Sequence, residues 1–123
     1  MAYESVEADT WLTVDQVATV FRRAIRTMDP DARFGPVDIA EGQPDVYAAF
    51  AAGKNLITRW CIQLFVREDD DSRRVQVIIL GSSILGKVAQ GTRNTYSAAV
   101  GRARAGGVIA AIREAERQLG EAS

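Results

Sequence analysis

The chain changes its hydrophobic period along its length, and that change limits the folds open to it. Val14, Val17, Ala18, Phe21, Ala24, Ile25 and Met28 fall on one stripe at 3.6-residue spacing, the pattern of a helix with one buried face. From Leu56 to Arg67 the period is two. Leu56, Trp60, Ile62, Leu64 and Val66 share one face; Ile57, Arg59, Cys61, Gln63, Phe65 and Arg67 share the other. Such alternation indicates an antiparallel strand with one buried and one mixed face. Glu68 to Ser72 reads as a turn, Arg73 to Leu80 as the returning strand, and Gly81 as its end. A third strand is expected over Ile84 to Gln90, interrupted at Gly86.

The first helix carries its own boundaries. Thr13 can cap it, Gln16 can close a capping box, and Leu12 and Val17 are spaced for a hydrophobic staple. Arg22, Arg23 and Arg26 sit towards its carboxyl end, where cations favour the dipole, and Asp29-Pro30 stops it. Residues 1–12 are expected as a lead-in ahead of one α+β domain over 13–120, although Trp11 and Leu12 are too apolar to be left in water. Phe34, Val37 and Ile39 fit a short strand after Gly35-Pro36, and Asp45 to Ala52 reads as a short helix ended by Gly53.

The last element is helical from about Asn94 to Leu119, and its apolar phase shifts. Tyr96, Ala99, Val100 and Ala103 mark one face, whereas Val108, Ile112, Ala115 and Leu119 lie about 140° away on an ideal helix. The shift falls at Gly106-Gly107. A break there, giving two short helices, is the first expectation. One long helix with an apolar patch on each side is the second, and one patch would then need a partner. The expected architecture is α+β: an N-terminal helix, an antiparallel sheet of three or four strands, and a C-terminal helical region on one sheet face. Val17, Phe21, Ile25, Trp60, Ile62, Leu64, Val77, Ile79, Tyr96, Val100 and Ile112 are the expected core.

Composition narrows the chemistry. The 123 residues include no histidine and one cysteine, Cys61. Ser-His, Cys-His and His-based metal catalysis are therefore excluded, an intramolecular disulfide is impossible, and no structural metal or cofactor is expected. The amino terminus, Met1 to Glu7, is acidic and lacks an apolar run, and strongly apolar runs such as Val77 to Leu80 are short. Neither a secretory signal nor a membrane span is expected, and a cytoplasmic location follows by default.

The net charge of −1 hides an asymmetry. The acidic residues gather towards the amino-terminal half, whereas no acid occurs from Ser72 to Arg113. That stretch holds Arg73, Arg74, Lys87, Arg93, Arg102, Arg104 and Arg113. Lys87, Arg93, Arg102, Arg104 and Arg113 are the candidate polyanion contacts. Arg93 precedes a helix that Asn94 or Thr95 can cap, and Arg102 and Arg113 fall within about 20° of each other on a straight helix. The slight overall acidity speaks against nucleic acid, and the acids of the first half are available to pair with these arginines internally.

Three other features have plainer readings. Gly81-Ser82-Ser83-Ile84-Leu85-Gly86-Lys87-Val88 approaches a phosphate-binding loop, but Val88 stands where the motif needs a hydroxyl for magnesium. Glu68-Asp69-Asp70-Asp71 lacks the spacing of a calcium loop and fits a solvated hairpin tip. Cys61, mid-strand with Arg59 and Gln63 on its face, has no general base beside it and reads as a packed side chain.

The order helix, antiparallel strands, helix, with Leu85-Gly86 and Gly91-Thr92-Arg93 ahead of Ala98-Ala99, resembles the double-stranded-RNA-binding domain over at most the last 70 residues. The resemblance implies phosphate contacts at the start of the final helix, where that family places two lysines. Here Arg93-Asn94 supplies one cation, and the stretch between Met28 and Leu56 is longer than that domain carries. It is a likeness of topology, which does not carry function.

A non-catalytic protein-binding or self-assembly module, homodimeric through Val108, Ile112, Ala115 and Leu119 or through an edge strand, is the first functional expectation. Polyanion binding is the second. A small-ligand domain is the third, with any chemistry resting on carboxylates, Arg, Lys or Tyr.

Overall fold

A computed structural model of the chain describes residues 4–37, 46–55, 58–69, 71–81 and 96–122. The first helix, α1 (Val14–Met28), forms where its sequence signals place it. The Thr13 Oγ1 accepts from the Gln16 backbone N–H at 3.1 Å, and the Gln16 Oε1 accepts from the Thr13 N–H at 2.8 Å. This reciprocal cap satisfies two donors that a helix start leaves open. At the other end the Asp29 N–H donates to the Ile25 carbonyl at 2.7 Å. The Asp29 carboxylate accepts from the Asp31 N–H and, at 3.1 Å, from the Trp60 indole. One side chain thus ends α1 and fastens it to the sheet.

Five strands make one antiparallel sheet: β1 (Glu4–Thr10), β2 (Arg33–Pro36), β3 (Val46–Asn55), β4 (Thr58–Asp69) and β5 (Ser72–Ile79), in the order β1-β5-β4-β3-β2. The register of β3 on β4 runs from Val46 opposite Arg67 to Asn55 opposite Thr58. On β4, Trp60, Ile62, Leu64 and Val66 are fully buried, as their alternation requires. Val75, Val77 and Ile79 continue that face on β5. The final helix, α2 (Ala98–Ala122), lies with α1 against the same side. Val17, Phe21 and Ile25 of α1 and Ala105, Val108 and Ile112 of α2 close the core over it. On the opposite side Phe50, Phe65 and Ile78 are partly buried, the mixed face that β4 implied.

Four expectations are corrected. Glu4–Thr10 is not a loose lead-in but the edge strand β1, paired with β5 from Glu4 opposite Ile79 to Thr10 opposite Arg73. Val6 and Ala8 take up the core side, and Glu7 and Asp9 meet Arg74 on the other. The segment Asp45 to Ala52 is not a helix; from Val46 onward it is strand. Its alanines are good helix formers, but Ala49, Ala51 and Ala52 are small residues enclosed within the layers, and tertiary packing overrides propensity. Gly53 does not end a helix. A Cβ there would stand 2.5 Å from the Asp29 Oδ2 and 2.8 Å from the Trp60 ring, so its bare backbone makes room for that hydrogen bond.

The fourth correction concerns Gly106-Gly107, where α2 continues unbroken. A Cβ on Gly107 would lie 2.6 Å from the Met28 Sδ, which identifies the residue as a close approach of α2 to α1. Gly101 plays the same part against the sheet, 2.9 Å from the Ile79 Cγ2. The expected third strand over Ile84–Gln90 lies outside the described residues.

Candidate protein-docking groove between the two helices

With one side of each helix committed to the sheet, the seam between α1 and α2 on the solvent side becomes a groove. Two adjoining hollows occupy it, of about 400 Å³ and about 350 Å³, and they share Val20, Arg23, Ala115 and Gln118. The larger runs towards Met28 and Gly107, where α1 and α2 approach closely. The smaller runs towards Leu12 and Leu119. Val20, Ala24 and Ala115 give an apolar floor, and Asp15, Thr19, Thr27 and Glu114 stand along it as polar groups.

The groove ends beside the two large apolar side chains most open to water among the described residues, Leu119 at 40% and Trp11 at 50% exposure. Both belong to one end of the molecule. The Thr10 hydroxyl, itself buried, donates to the Glu116 Oε2 at 2.6 Å and accepts from the Leu12 N–H. Arg113 bonds both Glu116 and the Asp9 carbonyl, at 2.9 Å each. These contacts hold the end of β1 against the last turns of α2.

Of the four residues expected at an interface, Val108 and Ile112 are fully buried in the chain's own core. They are corrected from interface to core. Ala115 and Leu119 do reach the groove. Sequence reasoning missed the α1 wall. Its signal was Val20, an apolar residue lying off the stripe that packs on the sheet.

The three candidate polyanion contacts among the described residues, Arg102, Arg104 and Arg113, are engaged by the protein itself. Arg102 holds the Glu4 carboxylate through two nitrogens, the Nε at 3.0 Å. Arg113 pairs with Glu116, Arg73 with Glu68, and Arg74 with Glu7 and Asp9. Arg104 stacks its guanidinium 5.3 Å from the centre of the Trp60 ring, and its Nε is enclosed without a hydrogen-bond partner among the described residues. Lys87 and Arg93 lie outside the described residues; α2 itself starts at Ala98, where the Ser97 hydroxyl accepts from the Val100 N–H at 3.1 Å, so the cap falls at Ser97 and not at Asn94 or Thr95. The guanidinium of Arg102 holds the Glu4 carboxyl below its ordinary value, and Arg117 does the same for Glu114. Burial pushes the Cys61 thiol up, away from the thiolate that reactivity needs.

A further cavity of about 240 Å³ lies between α1, β2 and β3, where Phe21 meets Phe34 edge-on at 5.9 Å. Arg22 and Tyr47 are its longer polar side chains. Among the described residues no helix is long and apolar enough to cross a membrane.

Fold and groove together define an α+β protein in which two helices cover one side of a five-stranded antiparallel sheet and leave an apolar seam between them. No family model, no curated protein and no solved structure matches the chain.

Proposed function

We propose that this chain is a non-catalytic, cytoplasmic protein-binding module that assembles through the seam between α1 and α2. The observation that carries the reading is the apolar strip from Met28 past Val20 and Ala115 to Leu119, left open on the solvent side of both helices. A groove of this shape accepts a helix with apolar anchors one turn apart. Covering a leucine fully is worth about 1.5–3 kcal/mol, and Leu119 has a good part of that still to gain. Polyanion binding has less support, since the arginines of α2 that were to carry it are held by Glu4, Glu116 and Trp60.

Sedimentation velocity at two protein concentrations tests the reading. The mass should rise with concentration, and Leu119→Asp should hold the protein monomeric at both while leaving its circular dichroism unchanged. A wild type that sediments as the monomer at millimolar concentration would remove self-assembly from the reading.

A further inference from the structure

Resting on the groove reading, we propose that its occupant is a second copy of this chain, set by a two-fold axis that runs α1 antiparallel to the partner's α1 with Thr19 at the centre. A two-fold interface is one surface matched to itself, so each charge must meet its opposite at the mirrored position. Asp15, Thr19 and Arg23 stand four residues apart on the solvent side of α1, and all three are exposed. Asp15 and Arg23 flank Thr19 at equal spacing, about 6 Å of helix rise on either side. Antiparallel pairing at Thr19 therefore sets Asp15 opposite Arg23 of the partner subunit, and the axis repeats the pair. Neither side chain has an ion pair among the described residues, in contrast to Arg73, Arg74, Arg102 and Arg113.

The shape agrees with the charge. Leu119 projects at the Asp15 end of the groove, and the larger hollow beside Met28 and Gly107 lies at the Arg23 end. Reversing one copy over the other brings the Leu119 of each to the larger hollow of its partner. The exposed leucine and the larger hollow thus answer each other across the axis. A parallel arrangement would set Asp15 against Asp15 and leave both hollows facing each other.

Charge reversal at these exposed positions tests the register without touching the core. Asp15→Arg and Arg23→Asp each set like charges together twice, and each should weaken dimerisation by roughly tenfold or more in low salt. The double variant Asp15→Arg/Arg23→Asp should regain wild-type affinity. An equimolar mixture of the two single variants should form a mixed dimer. A wild-type dimer indifferent to all three variants overturns this register, and if Leu119→Asp dissociates that dimer the groove reading survives it. A wild type that stays monomeric at every concentration overturns the inference together with self-assembly.

Discussion

Arg102 reaches Glu4 across nearly the whole sequence, and the pair shows what most of the second-half arginines do. Each binds a carboxylate brought to it by the sheet or by the next turn of its own helix. Because Glu4 is held below its ordinary carboxyl value of 4.5, the contribution of the pair to stability is present above that value and is lost as pH falls through the lower, folded one. Both groups are exposed, so the effect on global stability is small. It is best read at the residue: Arg102→Ala should return the Glu4 titration to about 4.5, followed through its side-chain carbonyl carbon by NMR. A midpoint unmoved by the substitution would mean that the pair does not persist in solution. An acid-free stretch in a sequence therefore does not by itself mark a free basic surface, since strand pairing delivers acids from far away.

At the scale of elements, Gly101 and Gly106, two of the four glycines inside α2, separate two effects that a sequence leaves merged. A Cβ on Gly106 would meet nothing within 4 Å, so Gly106→Ala should stabilise the helix by about 0.5–1 kcal/mol through lost backbone freedom in the unfolded chain. On Gly101 the same change drives a methyl to 2.9 Å from Ile79 and 3.6 Å from Ile62, and it should destabilise by about 1–3 kcal/mol. Urea unfolding of the two variants decides the matter, and equal effects would refute the packing role of Gly101. The elements legible in advance were those whose pattern is local: the capping box of α1 and the alternation of β4 and β5. Those misread depend on neighbours that a sequence does not show. The alanines of β3 are required by the large side chains stacked on them, and Gly107 by the nearness of Met28. Half of the groove was legible in the same sense. Ala115 and Leu119 stood out on α2, whereas Val20 and Arg23 became part of it when α1 was laid alongside.

For the molecule as a whole, β1 is the element that joins both ends of the described chain. It extends the sheet beyond β5, brings Val6 to the core, and places the buried Thr10 against Glu116. Removing residues 1–10 should expose the edge of β5 and lower the midpoint of thermal unfolding by roughly 10 °C or more, read by circular dichroism. A truncated chain that melts like the intact one would show that β1 is an ornament on a self-sufficient sheet.

The position of β1 also bears on how the structure is reached. Hairpins β3–β4 and β4–β5 join neighbours in sequence, so they close over short spans. The first strand must wait for the fifth, and linking Thr10 to Arg73 gathers all of α1, β2, β3 and β4 into one loop. Its entropic cost grows with the logarithm of that span and is met before any contact of β1 repays it. Docking of β1 is therefore expected among the last events of folding, and until it happens the outer edge of β5 is a bare template.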